Sequence, residues 1–451
     1  MADKADSKQS LKDLQLTRRQ FMIRAAMAGL ATTAGSALLA ACAPGQSSQP
    51  PVPAAGSAAS AKSLSGTTIS ALFIADKTFV PTLTKDFEAQ TGIKVNVELA
   101  DYDSMLTKLA ASASAKKGTY DVISSDIVSW RAAGYLEPLE ARINALPNID
   151  DLMGKDIAKT GDHLYGMPWL INDRIFVYNT KILKDAGFDK PPVTPDELVR
   201  QAQAIQQKGL SKYPIMFPWA QHEGEFNDFH AWLCTFGGHL FDDAYTKPRF
   251  NEPEGVAALQ FLTDLNLKYK LVNPDSLASK SVQVTNVMAQ GQTAFGTTWA
   301  ILTGPFDDPA SSKAVGQIRV GLYPAPSGKT PITEDGSESL GIASDSKNKD
   351  AAWEYLKFLT GKDTEKRLLL EQGNPPSWKS LYNDPAILKG NPNLPDQMKA
   401  REKTDIVPPV VWYDDFSPIM RVAILKAVTG QQPAQKAMDD AAVDVAKLIK
   451  K

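Results

Sequence analysis

Two groups of side chains in this 451-residue sequence could bind a small molecule. Asp76 and Lys77 follow an apolar, β-branched run at 67–75, and Ser125 and Asp126 end the third predicted strand. Carboxylates and hydroxyls hydrogen-bond the polar edges of a ligand, whereas flat aromatic rings pack against its apolar faces. The tryptophans in loops or at segment ends are Trp169, Trp219, Trp299, Trp378 and Trp412.

The sequence does not match the motifs of metal sites, acid–base dyads, phosphate-binding loops or catalytic nucleophiles. His222, His230 and His239 have spacings that fit neither a one-turn helical ligand pair nor a short ligand pair. Adjacent carboxylates, as at 242–243 and 414–415, do not form an acid–base dyad by adjacency alone. The sequence shows no glycine-rich phosphate loop and no nucleophile elbow. We therefore predict no enzymatic activity, no metal and no cofactor.

The first 41 residues have the parts of a secretory signal: a basic flank, an apolar middle and a small-residue cleavage zone. The stretch 25–41 is too short and too rich in Ala, Gly and Thr for a membrane span. Arg18 and Arg19 in TRRQFM resemble a twin-arginine export motif, although a general secretory signal can also carry two arginines. LAAC at 39–42 resembles a lipobox, which predicts acylation of Cys42.

Residues 42–65 are rich in Pro, Ser, Ala and Gly and predict a disordered tether. With Cys42 acylated, Cys234 has no disulfide partner, and its apolar helical context favours a buried, inert thiol. The formal net charge is −2 and no basic block occurs, which argues against nucleic acid as a partner. We expect a lipid-anchored monomer on the extracytoplasmic face of the membrane.

The elements that must position the candidate residues alternate between strand and helix. Strands are predicted at 67–75, 93–99 and 120–126, with helices at 79–92 and 102–115 between them. This order predicts a parallel sheet, in which ligands bind beyond the carboxyl ends of the strands. A second α/β unit follows from helices at 194–209, 226–236 and 254–269 and strands near 213–218 and 291–300. The chain beyond Asp345 is predicted to be mostly helical.

Several motifs, taken in order, resemble one protein family. They are FEAQTGIKVNVE, LYGMPWLINDRIFVYNTKILKDAGF, GGHLFDD, GVAALQFLTDL, MAQGQTAF and SLGIASDSKNKDAAWEYLKFLTG. The chain from Gly66 to Lys451 is similar to the sugar-binding lipoproteins of ABC importers, the family that includes maltose-binding protein. This resemblance implies an α/β, two-lobed periplasmic-binding-protein fold with discontinuous lobes and a ligand cleft between them. The implied division is 66–170 with 326–372 for lobe 1, and 175–322 with 374–451 for lobe 2.

The resemblance also implies roles for individual residues. Asp76-Lys77 matches the Asp-Lys that ends the family's first strand, and Asp126 corresponds to a carboxylate after the third. Asn172, with Asp173 beside it, falls where maltose-binding protein has a sugar-binding acid. The remaining implied ligand residues are aromatic: Phe226 is similar to a stacking tyrosine, and Trp299 occupies the place of a stacking aromatic after GQTAF. Trp130, Trp232 and Trp353 lie in helical contexts and are expected in the core.

The function implied is capture of a mono- or oligosaccharide by closure of two lobes, followed by docking on the permease subunits of an ABC importer. Two alternatives remain open from the sequence. The binding protein could take a polyamine, a peptide or an organic phosphate, or the chain could be a secreted glycan-degrading enzyme, which also uses aromatic and carboxylate side chains.

Overall fold

The computed structural model describes residues 63–450, apart from 76, 116, 117, 221 and 222. The predicted signal, the acylated Cys42 and most of the tether therefore lie outside the described residues, as does Asp76. None of the described helices is long and apolar enough to cross a membrane.

The first sheet has the strand order β2-β1-β3-β12-β6. Its strands are β1 (Thr68–Ile74), β2 (Lys94–Ala100), β3 (Val122–Ser124), β6 (Met167–Leu170) and β12 (Glu338–Ile342). β1 pairs in parallel with β2 and β3, as the sequence predicts, whereas β12 is antiparallel to both β3 and β6. The carboxyl ends of β1, β3 and β6 and the amino end of β12 therefore meet at one edge of the sheet.

The second sheet has the order β10-β7-β9-β8. It consists of β7 (Arg174–Asn179), β8 (Ile215–Met216), β9 (Phe295–Trp299) and β10 (Ile318–Gly321). The central strand β7 runs antiparallel to both neighbours, with Arg174 opposite Trp299. Five of the six residues of β7 are buried, which suits a strand covered on both faces. Two short pairs, β4 (Lys159–Thr160) with β5 (His163–Leu164) and β11 (Thr333–Glu334) with β13 (Thr404–Asp405), complete the strands.

Helices cover both sheets. They are α1 (Val80–Thr91), α2 (Tyr102–Ala115), α3 (Val128–Ala132), α4 (Glu140–Asn144), α5 (Thr180–Ala186), α6 (Pro195–Gln207), α7 (Glu223–Thr235), α8 (Pro253–Leu267), α9 (Ser281–Ala289), α10 (Lys349–Leu359), α11 (Lys362–Gln372), α12 (Pro385–Gly390), α13 (Leu394–Arg401), α14 (Tyr413–Val428) and α15 (Ala434–Ile449). The start of α6 confirms the sequence prediction, because the Thr194 side chain accepts a hydrogen bond from the Glu197 N–H and Pro195 occupies the first turn. α1 ends at Thr91, and the residue that follows it, Gly92, has a left-handed φ of 76° that suits glycine.

The apolar core is divided between the two sheets. One large cluster packs around β1, β6, α1 and α10, and another packs around β8, α7, α8, α14 and α15. The boundary expected at residue 374 differs from this packing, because Trp378, Leu381, Tyr382 and Ile387 belong to the cluster of the first sheet. Their apolar side chains follow α11 directly and are buried beside it. Residues from 407 onward pack in the cluster of the second sheet.

Candidate functional site

The edge where β1, β3 and β12 meet carries an ion pair and a carboxylate. Lys77 is buried, and its Nζ lies 2.9 Å from Oε1 of Glu338. Asp126 Oδ1 accepts a hydrogen bond of 3.1 Å from the backbone N–H of Ser339. The pairing of β12 with β6 is irregular between Glu338 and Ser339, and such a bulge redirects the side chains next to it. The structure thus brings Lys77 and Asp126 together through one short segment of chain.

Burial raises the pKa of Asp126, while the Ser339 N–H and the positive charges of Arg131 and Lys77 act in the opposite direction. Arg131 is itself buried and donates from Nη1 to the carbonyl oxygen of Ser125 at 2.6 Å. Burial lowers the pKa of Arg131 to about 10, so it stays charged at neutral pH. Charged groups here are therefore held in a dry setting, where hydrogen bonds to a ligand are strong.

Ser125 lies beneath this edge. Its side chain is fully buried, and its Oγ donates to Oγ of Ser339 at 2.7 Å. Gly166 packs against it so closely that a Cβ at position 166 would come 1.8 Å from the Ser125 Oγ. Ser125 therefore supports the segment that carries Glu338.

Asn172 and Asp173 lie where the chain passes from β6 of the first sheet to β7 of the second. Both are buried, and the Asn172 Oδ1 accepts a hydrogen bond of 3.3 Å from the Ile301 N–H. The Asn172 N–H donates to Oγ of Ser337 at 3.2 Å, which ties this passage to the one that leads into β12. Asn172 therefore joins two passages between the sheets to the segment that follows β9.

Asp173 is bound to Arg401, so its carboxylate is not free to bind a ligand. The Arg401 guanidinium bonds Asp173 through Nη1 and Asp335 through Nη2, the latter at 2.8 Å. Because two buried carboxylates share one guanidinium, burial and the nearby Asp335 raise the pKa of Asp173 to about 8, against the opposing effect of Arg401. This buried triad links three passages of the chain between the two sheets.

Trp299 ends β9 and is half-buried. The guanidinium carbon of Arg174 lies 4.7 Å from the centroid of its ring, within cation–π distance. On another side the ring lies against Gly336, where a Cβ would come 2.5 Å from the ring atom Cζ3. Gly336 and Ser339 are three residues apart, so Trp299 and Asp126 contact the same short segment of chain.

Five aromatic residues expected at the site are instead packed in apolar clusters. Trp169 packs against Phe73 and Phe79, and Trp219 stacks on Phe217 with ring centroids 4.9 Å apart. Phe226 has no exposed surface, and Trp378 donates from Nε1 to the Thr360 carbonyl at 2.8 Å. Trp412 is half-buried against Phe241 and Phe416. Trp169 lies on β6 and Phe226 on α7, whereas the other three lie outside strands and helices, in irregular segments that also contribute rings to the core.

Three charged residues of this region were missed in the sequence. They are Glu338, which pairs with Lys77, Arg174, which covers Trp299, and Arg401, which holds Asp173. Arg174 adjoins Asn172-Asp173 and could have been found from that position. Glu338 lies 261 residues from Lys77 and Arg401 lies 228 residues from Asp173, and no local pattern indicates either partner.

Two α/β units joined by several crossing passages, with charged and aromatic groups beside those passages, define a two-lobed binding protein of the periplasmic type. Residues 66–366 match the model of the bacterial extracellular solute-binding proteins. The chain belongs to that family.

Relatives with a described role fall in the same class. A probable ABC transporter-binding protein of Deinococcus radiodurans is 30% identical over 51% of this chain and 56% of its own length, so the match spans little more than half of that relative. A probable amino-acid ABC transporter periplasmic-binding protein of Sinorhizobium fredii is 27% identical over 74% of this chain and 78% of its own. The diacetylchitobiose binding protein DasA of Streptomyces coelicolor is 26% identical over 79% of this chain and 83% of its own length.

Solved structures confirm the two-lobed fold. Maltose-bound MalE3 of T. maritima superposes with a TM-score of 0.77 at 23% identity and covers 85% of this chain and all of that one. A solute-binding protein of Agrobacterium radiobacter in complex with ribitol gives a TM-score of 0.77 at 25% identity, over 85% of this chain and 99% of that one.

Proposed function

We propose that this chain is the lipid-anchored substrate-binding protein of an ABC importer and that it captures a mono- or oligosaccharide by closure of its two lobes. The observation that carries the proposal is the pairing of hydrogen-bonding groups at the edge of the first sheet with Trp299 at the edge of the second. Sugars need both, because hydroxyls ring their edges and C–H groups cover their faces. The relative named for diacetylchitobiose and the structures holding maltose and ribitol support this ligand class.

The proposed ligand set is narrower than the sequence suggests. It consists of Asp76, Lys77, Asp126, Asn172, Glu338 and Trp299. Asp126 and Glu338 supply acceptors for sugar hydroxyls, and Trp299 supplies a flat apolar surface. Ser125 and Asp173 position this set from below, and the five packed aromatic residues are left out of it.

The lobes are proposed to divide at different places from those implied by the resemblance. Lobe 1 takes 66–170 and 338–401, and lobe 2 takes 174–334 and 407–450, because the buried residues of the two large core clusters, apart from Val128, fall in these ranges. The passages at 171–173, 335–337 and 402–406 then form the hinge. A ligand that touches both lobes stabilises the closed arrangement by its differential contacts.

The proposed anchoring of the protein follows from the signal-like first 41 residues, Cys42 and the tether. Acylation of Cys42 places the protein on the extracytoplasmic face of the membrane, and the tether lets the lobes reach the permease subunits. We propose that it works as a monomer and makes no bonds in its ligand, in line with a family of binding proteins.

A different ligand class has one observation in its favour, the relative named as a probable amino-acid binding protein. A thermal-shift screen with sugars, sugar alcohols and amino acids separates the two classes, since a ligand that binds only the folded state raises the melting temperature. The proposal expects a shift with a carbohydrate and none with amino acids. A shift with amino acids alone would overturn the ligand class, and turnover of a glycan by the purified protein would favour the enzyme alternative.

A further inference from the structure

Three side chains of metal-binding types, none of them in the proposed ligand set, lie close together where α7 meets the strand pair β11 and β13. His230 and Cys234 are one turn apart on α7 and therefore share a face of that helix. Asp405 lies on β13, opposite Glu334 of β11. One ligand atom from each of His230, Cys234 and Asp405 lies within 4.8 Å of the others.

The distances in this cluster suit a small tetrahedral ion. Oδ2 of Asp405 lies 3.7 Å from Nε2 of His230 and 3.3 Å from Sγ of Cys234. Zinc holds nitrogen and oxygen ligands at about 2.0–2.1 Å and thiolate at about 2.3 Å, so tetrahedral geometry sets neighbouring ligand atoms about 3.3–3.6 Å apart. The observed spacing matches that range with small movements.

Supporting hydrogen bonds orient His230 and Asp405 toward the same point. Nδ1 of His230 is bonded to Oε2 of Glu334 at 3.0 Å, which leaves Nε2 to face Asp405 and Cys234. A carboxylate on the distal nitrogen of a metal-bound histidine is the usual second contact of such ligands. Oδ1 of Asp405 accepts from the Ile406 N–H at 2.9 Å, so its other oxygen faces the cluster.

His230 carries the observation that points to a ligand. Its side chain is 1% exposed, and within the described residues Nε2 has no hydrogen-bond partner, although it is aimed into the cluster. A buried ring nitrogen in that position is costly without a partner. The Asp405 side chain is 41% exposed, which gives an ion a path from solvent.

We propose that His230, Cys234 and Asp405 bind one zinc ion, with Glu334 as the positioning residue of His230 and a water molecule as the fourth ligand. Coordination takes the thiolate of Cys234, so binding releases the thiol proton to solvent. The spacing of the histidines in the sequence did not indicate this site, because two of its three proposed ligands are not histidines. The ion connects α7, which packs in the core of the second sheet, to β13, and the hydrogen bond between His230 and Glu334 links the site to β11.

The test uses the full chain carrying Cys42→Ser, in which Cys234 is the single thiol. Co²⁺ is added as a spectroscopic probe, and Zn²⁺ affinity is measured by competition with a chromophoric chelator. We expect one ion per chain and a thiolate-to-cobalt charge-transfer band. The proposal is overturned if cobalt binds without that band or if no ion binds.

Three variants and a control separate ligands from support. Cys234→Ala and Asp405→Asn should weaken Zn²⁺ binding at least 100-fold, and Glu334→Gln should weaken it about 10–100-fold while the charge-transfer band remains. His163→Gln alters an exposed histidine, paired with Glu140 at 2.9 Å, and should bind Zn²⁺ normally. Zn²⁺ should raise the melting temperature of the parent and of His163→Gln but not of Cys234→Ala. Equal Zn²⁺ affinity in the parent and in Cys234→Ala would mean that the cluster is only a hydrogen-bonded network.

Discussion

Trp299 is the residue on which the proposed recognition of a sugar most depends. Its ring is held by Arg174 on one side and by the bare backbone of Gly336 on another, so its orientation is fixed before a ligand arrives. A ring held in this way loses little conformational entropy on binding.

We expect Trp299→Ala to weaken sugar binding by about 1–3 kcal/mol, because the apolar face contact is lost. Trp353→Ala serves as the control, since Trp353 is buried among the core residues of the first sheet. It should instead lower the free energy of unfolding by about 3–5 kcal/mol. Calorimetric titration and thermal melts on both variants check this. Normal affinity in Trp299→Ala would remove Trp299 from the site.

Lys77 offers a second residue-scale test through its buried ion pair with Glu338. Lys77→Met should lower both sugar affinity and the free energy of unfolding by about 1–3 kcal/mol, because it leaves Glu338 uncompensated in a partly dry setting. Lys94→Met is matched in chemistry but breaks only an exposed pair with Glu88 at 3.5 Å, so we expect less than about 1 kcal/mol. Equal effects of the two substitutions on calorimetric affinity would place Lys77 outside the site.

Among the elements, the passages between the sheets depend on close packing at Gly336. A Cβ at this position would lie 2.5 Å from the Trp299 ring, so Gly336→Ala must displace either the ring or the passage. We predict that Gly336→Ala weakens sugar binding at least tenfold. Gly390→Ala is the matched control, since a Cβ there has no atom within 4 Å and should leave binding unchanged. Calorimetric titration of both variants decides, and unchanged binding by Gly336→Ala would contradict the role given to this passage.

The helix α7 carries a buried acid that makes stability depend on pH. Burial raises the pKa of Glu225 to about 9, with Arg421 only partly opposing it, whereas an unfolded chain has a value of about 4.3. The folded state thus keeps a proton that the unfolded state has lost. Its stabilising effect is complete below about pH 4.3 and is lost as pH rises through about 9.

Glu225→Gln should therefore flatten the decline of stability between pH 5 and pH 8, where one retained proton contributes up to about 1.4 kcal/mol per pH unit. Urea unfolding of the parent and of Glu225→Gln across this range measures the free energy of unfolding of each. The raised pKa of Asp173 also lowers stability as pH rises, but it is present in both proteins, so the difference between their pH profiles isolates Glu225. Parallel pH profiles in the two proteins would show that Glu225 ionises normally in the folded state.

At this scale the sequence predicts much of the fold and less of the site. The first three strands and α1 follow from local periodicity, and the structure confirms them. β12 and β6 join the same sheet from distant parts of the chain, so the pattern near 67–126 could not predict a mixed sheet. For the same reason Glu338 and Arg401 were missed, because each meets its partner only after folding.

For the whole molecule, anchoring and export are separate from the fold. Cys42→Ser should release the protein from membranes, since the body then has no acyl chain to hold it there. Fractionation of cells that express the parent and the variant measures this, and membrane retention of Cys42→Ser would contradict the lipoprotein prediction.

Arg18→Lys with Arg19→Lys should block export if the twin-arginine route is used, whereas normal export would indicate the general pathway.

The central claim is that two lobes close over a carbohydrate. Solution X-ray scattering tests it most directly, with the chain lacking its first 62 residues measured alone and with the carbohydrate that gives the largest thermal shift. Closure brings the lobes together, so the radius of gyration should fall on saturation, and it should fall less in Trp299→Ala at the same sugar concentration. A carbohydrate that binds tightly, by calorimetry on the same sample, while the radius of gyration stays unchanged would contradict the account.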